Sequence, residues 1–370
     1  MNSQSDSKTC RWGIMSTATI GQKNWQAIRL SGNGTVAAVA SRNLSSSEKY
    51  INQLQAAVPF DTVPRAVEGY QSLIDSPEID AVYIPLPTGM RREWVIKAAE
   101  AGKHVLCEKP CASSYAELQE MVEVCRKNNV QFMDGIMYMH GPRLNSVREA
   151  IDTKIGKIKR IATQFSFFGD EEFDEGNIRT NSVLEPFGCL GDLGWYTIRF
   201  ALWVMNYQLP NKVYGRMIST YKRDDSPNPV PMEIECGLQF ADGVTSSFYN
   251  SFLTGHQQWA HVSGTEGSVH IPDFVLPFEG KEAKFSIFNS QFTATDCDFI
   301  MAENRTEVVV EESGNSATNS QETNLFRNFA SLALSGKTDE HWGEVALMTQ
   351  RVMDACKASA ENDGAAIDLC

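Results

Sequence analysis

An apolar run followed by small residues near the start of the sequence has the pattern of a phosphate-binding turn. In RWGIMSTATIG (residues 11–21), Gly21 holds the third glycine position of G-x-G-x-x-G, while Ser16 and Ala18 occupy the first two. These glycines permit a tight turn, close approach of a pyrophosphate and close helix packing. Serine and alanine are the smallest replacements, and a helix beginning near Thr19 still offers its N–H groups to a phosphate. The pattern alone leaves two interpretations open, a nucleotide site or an ordinary strand–helix junction.

The end of the next apolar segment indicates which nucleotide would bind. Ser41, Arg42 and Asn43 follow Gly21 by about twenty residues, where a dinucleotide site places the group that contacts the adenosine ribose. A carboxylate there would mark NAD, whereas a guanidinium and a hydroxyl suit a 2′-phosphate. We therefore predict NADP, with NAD as the alternative. The competing interpretation is that Arg42 is a solvated residue at a strand end.

These residues need a sheet to position them, and the first 135 residues predict one. Five short, nearly all-apolar segments alternate with amphipathic helical patterns such as REWVIKAAEAG. Apolar strands of this kind are typical of a parallel sheet covered by helices on both faces. The predicted strands are WGIMS (12–16), TVAAVAS (35–41), AVYIPL (81–86), HVLCE (104–108) and VQFMDG (130–135). The first part of the chain is thus predicted to be α/β, with a doubly wound parallel sheet.

After about residue 145 the pattern changes to longer, alternating strands. In MEIECGLQF (232–240) every second residue is apolar, which predicts a strand with one face on a core and one face polar. Two helical patterns, TNLFRNFASLALSG and EVALMTQRVMDACKASAE, close the chain after a polar loop at 311–322. We predict an NADP-binding Rossmann-like domain at 10–143. A second α+β domain at 144–370 carries an open, mostly antiparallel sheet and the surface for oligomerisation, and its C-terminal helices are candidates to pack on the first domain.

Charge and composition exclude several classes of partner. The net charge of −13 opposes binding to nucleic acid or anionic lipid. We expect no membrane-spanning segment and no signal peptide, because no apolar run approaches eighteen residues and the first ten residues lack an apolar core. The nine cysteines are scattered, which favours reduced thiols in a cytoplasmic protein. His256, His261 and His270 have spacings unlike any zinc pattern, so no catalytic metal is predicted.

The segment HVLCEKP (104–110) carries a more specific signature. Together with PLPTGMRREWVIKAAEAGKHVLCEKP it resembles the glucose–fructose oxidoreductase and myo-inositol dehydrogenase (Gfo/Idh/MocA) family, nearest to the dihydrodiol dehydrogenase and anhydrofructose reductase-like branches. FMDGIMYMHGPR, GCLGDLGWYTIR and, more faintly, HVSGTEGSVHI carry the same resemblance, which extends from Arg11 to about Leu369.

The resemblance implies a catalytic Lys109 and a D-x-G-x-H segment, here Asp192 to Tyr196, with tyrosine in place of the usual histidine. Thr88 and Arg91 depart from the family pattern, which commonly has Asn and His at these positions. The resemblance also implies cofactor contacts from the phosphate turn and from the ends of the predicted strands TVAAVAS, AVYIPL and HVLCE. These residues are Ser16, Thr17, Ala18, Thr19, Ile20, Ser41, Arg42, Pro85, Leu86, Thr88, Glu108 and Lys109.

The implied chemistry is hydride transfer between nicotinamide and a hydroxyl or carbonyl of a sugar, polyol, sugar-derived ketone or cyclic diol. The protein supplies the proton partner. A free tyrosine, with a pKa near 10, is a poor base at neutral pH, and a nearby ammonium such as that of Lys109 favours the phenolate. Asp192 lies four residues before Tyr196, so in one helix the two share a face. We expect Asp192 to bind a substrate hydroxyl or to hold Lys109.

Other interpretations stay open at this point. A non-catalytic nucleotide-binding sensor or interaction protein is the alternative function. The family resemblance, together with a long antiparallel sheet that has too few helices to cover both faces, implies a homodimer or a higher homo-oligomer formed through the open face of the second sheet. His140 and Arg143 are candidates for the cleft or for packing, and Arg91 and Arg92 for an anionic substrate group or, by default, for the surface. The tryptophans Trp12, Trp25 and Trp94 fall on apolar patterns and are predicted to be core residues.

Overall fold

The computed structural model describes residues 9–369, and the first part of the chain forms a sheet of six parallel strands. In chain order the strands are β1 (Cys10–Met15), β2 (Gly34–Ser41), β3 (Arg65–Glu68), β4 (Ala81–Ile84), β5 (His104–Cys107) and β6 (Phe132–Asp134). Their order across the sheet is β3-β2-β1-β4-β5-β6. This is the order of a doubly wound dinucleotide-binding sheet, in which ligands bind beyond the carboxyl ends of the strands where the order reverses. The predicted doubly wound parallel sheet is confirmed.

Helices connect these strands and cover the sheet. They are α1 (Thr19–Ser31), α2 (Leu44–Ala57), α3 (Tyr70–Ile74), α4 (Thr88–Glu100) and α5 (Tyr115–Lys127). The helix predicted to begin near Thr19 does so. It ends where Gly32 adopts a left-handed conformation with φ of 81°, which a glycine reaches without steric cost.

A late helix also packs in this part of the molecule. Helix α10 (Gln321–Ser335) lies against α1, and its aromatic rings meet the first strand. The ring of Trp12 lies 5.1 Å from that of Phe326 and 5.0 Å from that of Phe329. Trp12 and Trp25 are fully buried, so both are core residues as predicted. Aromatic packing therefore ties a C-terminal helix to the nucleotide-binding sheet.

The second part of the chain contains longer strands and five more helices. The helices are α6 (Arg143–Lys154), α7 (Glu171–Gly176), α8 (Gly188–Asp192), α9 (Gly194–Val204) and α11 (His341–Glu361). The strands are β7 (Ile158–Phe168), β8 (Lys212–Tyr221), β9 (Val230–Gln239), β10 (Thr245–Ser251), β11 (Leu253–Gly264), β12 (Ser268–Ile271), β13 (Ala283–Phe288), β14 (Gln291–Ala294), β15 (Phe299–Ala302), β16 (Arg305–Val310) and β17 (Ile367–Asp368).

Nine of these strands form one open sheet, in the order β16-β13-β12-β11-β7-β10-β9-β8-β17. Only β7 and β10 pair in parallel, so the sheet is mostly antiparallel, as predicted. The alternation in β9 is confirmed, because Ile234, Cys236 and Leu238 are buried while Glu235 and Gln239 are exposed. Helices α8 and α9 cover the buried face. The opposite face is open.

The strands β14 and β15 form a separate hairpin between β13 and β16. Phe292 pairs with Met301 and Ala294 pairs with Phe299, so these four side chains lie on one face of the hairpin. All four are exposed, Phe299 by 81% and Met301 by 67%. The sequence analysis did not predict these strands. The hairpin presents an apolar face to solvent.

The chain divides into two compact units. The first contains the residues up to His140, Leu184–Pro186 and Asn315–Gln350, and the second contains Gly141–Val183, Phe187–Gly314 and the residues from Arg351 onward. The division falls within α11. Over residues 9–369, no helix is both long and apolar enough to cross a membrane.

The segment predicted as a polar loop at 311–322 is largely irregular, with Asn315, Ser316 and Thr318 exposed and other residues buried. Glu312 is only 1% exposed, and its carboxylate accepts a 2.7 Å hydrogen bond from the Arg143 amide. Ser313, Ser320 and Gln321 are buried as well. The predicted loop is confirmed, and Glu312 is buried in it because its carboxylate satisfies a buried backbone amide.

Candidate active site

The turn after β1 has the backbone shape that the missing glycine would provide. Ser16 has a φ of 129°, a region that favours glycine, and its Oγ accepts a 3.2 Å hydrogen bond from the Ala18 amide. Ala18 precedes α1 without a side-chain cap, and the first turn contains no acidic residue. Thr17 is half-buried, while Thr19 and Ile20 are exposed. The N-terminus of α1 is therefore open to a phosphate at the reversal point of the sheet.

Gly21 has the packing role predicted for the third glycine. A Cβ at this position would lie 2.6 Å from the hydroxyl oxygen of Tyr50 on α2 and 3.8 Å from the Ile14 side chain of β1. The Tyr50 hydroxyl would have to move to admit a Cβ, whereas the distance to Ile14 is an ordinary van der Waals contact. Gly21 thus allows α1 to lie close to both its strand and the next helix.

Two opposite charges lie at the ribose end of the predicted cofactor site. Arg42 is exposed just beyond β2, and its positive charge opposes the burial that raises the pKa of Tyr70. Glu68, the last residue of β3, pairs in register with Ser41 and is also exposed. This carboxylate was not predicted from the sequence, because Glu68 lies beside Ser41 only through the pairing of β3 with β2. Arg42 favours a 2′-phosphate, and Glu68 opposes it.

The carboxyl end of β5 fixes Glu108 in a buried chain of hydrogen bonds. Asn24 of α1 donates to the hydroxyl of Tyr83 at 2.6 Å, and that hydroxyl donates to Glu108 Oε1 at 2.6 Å. Burial, followed by the charge of Glu108, raises the pKa of Tyr83 well above its usual value, so the phenol stays protonated. The adjacent Lys109 is half-buried, and its amide lies 3.3 Å from Glu108 Oε2. The Lys109–Pro110 peptide is cis.

Thr88 lies inside a buried network after β4. It is 1% exposed, and its hydroxyl lies 2.6 Å from Glu185 Oε2. Pro85 and Leu86 are buried near Thr88. A direct contact of Thr88, Pro85 or Leu86 with the cofactor therefore stays a prediction. The expectation of a surface position for Arg91 is wrong, because it is 5% exposed and donates to Thr88 and to the Leu86 carbonyl.

Arg92 is exposed, in line with its default assignment to the surface. It forms two hydrogen bonds to Glu120, at 2.7 and 2.6 Å. Trp94 is only half-buried, with its ring 5.1 Å from that of Tyr70, so it is not a full core residue.

In the second unit the structure brings Tyr196 and Asp192 onto neighbouring helices. Tyr196 lies in the first turn of α9, is 7% exposed, and its ring lies 5.6 Å from that of Phe165 on β7. Asp192 ends α8, and Leu193 separates the two helices, so the single continuous helix assumed from the sequence is wrong. Asp192 Oδ2 lies 2.7 Å from Arg179 Nε. Arg179 was not predicted, because it lies in a 3-10 helix of three residues, Ile178–Thr180, which is too short to leave a periodic pattern.

His256 is a second residue that the sequence analysis did not assign to the site. Its ring lies 6.4 Å from that of Phe165, at an interplanar angle of 88°. It is exposed and lies within the irregularity of β11 between Leu253 and Gln257. Bulges in strands often orient side chains toward active sites. Tyr196, Phe165 and His256 thus form a continuous group of rings.

His140 and Arg143 both serve packing. The ring of His140 stacks on that of Trp342, with centroids 4.6 Å apart, and Arg143 forms a buried ion pair with Asp273. Within residues 9–369, no cluster of three or more potential metal-ligating side chains is present, and all eight described cysteines are free thiols.

Two family models match the chain. An oxidoreductase family with an NAD-binding Rossmann fold, GFO/IDH/MocA, matches residues 10–136, and the GFO/IDH/MocA C-terminal domain matches residues 144–270. The chain belongs to this family of oxidoreductases. Its first unit is accordingly a dinucleotide-binding domain, and the family resemblance seen in the sequence is confirmed.

Individual relatives agree with this assignment. D-xylose 1-dehydrogenase (NADP(+)) 2 of Haloferax volcanii is 29% identical over 97% of this chain and 99% of that protein. Trans-1,2-dihydrobenzene-1,2-diol dehydrogenase of Mus musculus is 29% identical over 73% of this chain and 76% of that protein. A 3-ketoreductase from Actinomadura kijaniata, solved with NADP and TDP-benzene, has the same fold, with a TM-score of 0.77 at 22% identity over 95% and 98% of the two chains.

Proposed function

We propose that this oxidoreductase uses NADP(H) to transfer a hydride to or from a hydroxyl or carbonyl of a sugar, polyol, sugar-derived ketone or cyclic diol. The observation that carries the proposal is the placement of Lys109 at the carboxyl end of a central parallel strand, beside the fixed carboxylate of Glu108. Ligands of doubly wound sheets bind at this edge. Relatives that are named as NADP-dependent or as sugar and diol dehydrogenases support the substrate class.

The residues present fit a nicotinamide dinucleotide. Ser16 already holds the glycine-like backbone that lets a pyrophosphate approach, and the first turn of α1 carries no acidic residue. Arg42 supplies an exposed cation for a 2′-phosphate. The negative charge of Glu68 would repel that phosphate and so reduce the preference for NADP over NAD. NADP is therefore the proposed cofactor, with NAD as a weaker one.

The bound nicotinamide would accept or supply the hydride. In the oxidation direction Tyr196 takes the hydroxyl proton of the substrate, and in the reduction direction it returns that proton to the new alkoxide. Lys109 stabilises the phenolate form of Tyr196 through its positive charge. Asp192, held by Arg179, orients a substrate hydroxyl, and Phe165 with His256 borders the substrate beside Tyr196.

We also propose a cytoplasmic homodimer, or a higher homo-oligomer, that associates through the open face of the nine-stranded sheet. This face carries the half-exposed rings of Trp259, His261 and His270, with His270 6.4 Å from Trp259 and 5.7 Å from His261. The free thiols support a reducing compartment. The boundary between the two domains is proposed near residues 143 and 144, which the two family matches support.

A substrate panel tests the function directly. Polyols, aldoses including D-xylose, and a cyclic diol are offered with NADP⁺, and ketoaldehydes with NADPH, while absorbance at the nicotinamide band is followed. Turnover of at least one compound, lost in Lys109→Met, is the expected result. Tight NADPH binding without turnover of any compound would favour the sensor function instead.

A further inference from the structure

Glu185 is a buried carboxylate for which the proposed chemistry has no use. It lies in Leu184–Pro186, a segment of three residues that belongs to the first compact unit. Only 8% of its surface is exposed. A buried carboxylate needs hydrogen bonds or an opposite charge to replace the water it has lost. The hydrogen-bond partners of the Glu185 carboxylate therefore indicate the role of this residue.

The first residue of α4 gives Glu185 two hydrogen bonds. The Thr88 amide donates to Oε1 at 3.1 Å, and the Thr88 hydroxyl donates to Oε2 at 2.6 Å. The next amide, that of Gly89, donates to the Leu184 carbonyl at 3.0 Å. Pro87 supplies no side-chain cap, so these contacts satisfy N–H groups that the helix leaves unpaired, and the helix dipole favours the carboxylate.

The same network reaches the residue after Lys109. The single hydroxyl proton of Thr88 is directed to Glu185, because the Pro110 carbonyl is farther away, at 3.2 Å. The hydroxyl oxygen accepts a 3.0 Å hydrogen bond from Arg91 Nη1, and Arg91 also donates to the carbonyls of Leu86 and Pro110. Arg91 Nη2 lies 4.0 Å from Glu185 Oε1. Glu185 thus contacts both Thr88 and Arg91, the two described side chains that lie at hydrogen-bond distance from the Pro110 carbonyl.

We propose that Glu185 is a positioning residue for Lys109, acting through Thr88, Arg91 and Pro110. The inference rests on the proposed function, in which Lys109 acts on the reacting tyrosine. Loss of the carboxylate charge removes the counterion of the buried Arg91 and frees the Thr88 hydroxyl to turn toward Pro110. A displacement of about 1 Å at a reacting group costs on the order of 10²-fold in rate.

The first test is Glu185→Gln in the full chain, with the panel compound that the unchanged protein turns over fastest. The substitution keeps the size but places an amide N–H₂ against the Thr88 hydroxyl. We expect kcat to fall about tenfold or more, within the range that misplaced groups cause, while KM and the Kd of NADPH change little. Glu185→Asp keeps the charge and should recover part of the loss. Glu175→Gln, on the exposed side of α7, is the control and should change nothing.

A purely structural role predicts a different outcome. It would lower the melting temperature of Glu185→Gln and leave kcat per folded molecule unchanged, and this result overturns the proposal. A double-mutant cycle with Thr88→Val adds a second criterion, because residues of one network give non-additive effects. We expect the double variant to lose no more kcat than the more damaging single one. Fully additive losses would contradict action through Thr88.

A measurement independent of turnover follows the Lys109 amine itself. Labelling with pyridoxal 5′-phosphate and borohydride, read by mass spectrometry, gives a rate for each lysine. In Glu185→Gln the rate at Lys109 should change, while that at the exposed Lys49 stays constant. Unchanged labelling together with unchanged kcat refutes the positioning role. If Lys109→Met retains turnover, the proposed function fails instead, so the two failures are distinguishable.

Discussion

The unusual backbone of Ser16 gives a prediction whose sign can be tested. A non-glycine residue held at a φ of 129° stores about 1–3 kcal/mol of strain. Ser16→Ala keeps that strain and loses the 3.2 Å hydrogen bond from the Ala18 amide, so it should destabilise the protein by about 0.5–1.5 kcal/mol. Ser16→Gly loses the same bond but releases the strain.

The difference in the free energy of unfolding between Ser16→Gly and Ser16→Ala reports on the backbone conformation alone, because both variants lose the hydrogen bond. Glycine costs about 0.5–1 kcal/mol of chain entropy relative to alanine, and the released strain of about 1–3 kcal/mol equals or exceeds this cost, with a difference centred on roughly 1 kcal/mol. Ser16→Gly should therefore be more stable than Ser16→Ala, which is the reverse of the usual order. Urea unfolding followed by tryptophan fluorescence measures the difference. The buried Trp12 and Trp25 report on this domain.

Ser45 in the first turn of α2 provides the matched control. It is exposed and helical, so Ser45→Ala should be the more stable variant there, by about 1 kcal/mol over Ser45→Gly. A Ser16→Gly variant less stable than Ser16→Ala would refute the claim that this turn needs a glycine-like backbone. NADPH binding by both Ser16 variants should persist, since the amides of α1 are unchanged.

Three further predictions concern catalysis, cofactor choice and assembly. Tyr196→Phe should lower turnover by about 10² or more, the scale of a positioned acid or base, with NADPH affinity and melting temperature little changed; near-normal turnover would leave Lys109 as the proton carrier. Arg42→Ala should weaken NADPH binding by roughly 10- to 100-fold and leave NADH binding almost unchanged. Glu68→Gln should strengthen NADPH binding. Equal effects on the binding of both cofactors would mean that these residues stabilise the fold and do not contact the 2′-phosphate. Trp259→Glu should shift sedimentation from a dimer toward the 41.1 kDa monomer, and an unchanged dimer would exclude the open face as the interface.

Five of the six strands of the first sheet were predictable because each is an apolar run beside amphipathic helical patterns. The strand β3 (Arg65–Glu68) was not predicted, because its sequence RAVE is not an apolar run and only Val67 is buried. The turn after β1 and the start of α1 were predictable in the same way, since serine in place of glycine at residue 16 does not alter the periodicity around it, and phosphate binding by this turn stays a prediction. Strand ends were less accurate. The strand predicted to end at Ser16 ends at Met15, because the positive φ of Ser16 turns the chain out of the sheet.

The parts of the site that the sequence did not predict depend on distant partners. Glu185 and Thr88 are 97 residues apart, and no periodic pattern connects them. Glu68 lies beside Ser41 only through the register of β3 with β2. A partner for Tyr83 was predictable from the sequence, because a hydroxyl in an otherwise apolar buried strand needs a hydrogen bond. The structure shows that this partner is Glu108.

The hairpin of β14 and β15 is closed at its base, so it is a module separable from the sheet. The Asn289 amide donates to the Asn304 carbonyl at 2.9 Å, and the Asn304 side chain donates back to the Asn289 carbonyl at 3.2 Å. The strands β13 and β16 are thus already joined before the hairpin begins, and a two-residue Asn-Gly turn is long enough to connect them. Residues 290–303 are therefore a segment that tolerates engineering. We expect that it can be shortened, exchanged or replaced by a foreign peptide while the pairing of β13 with β16 stays intact.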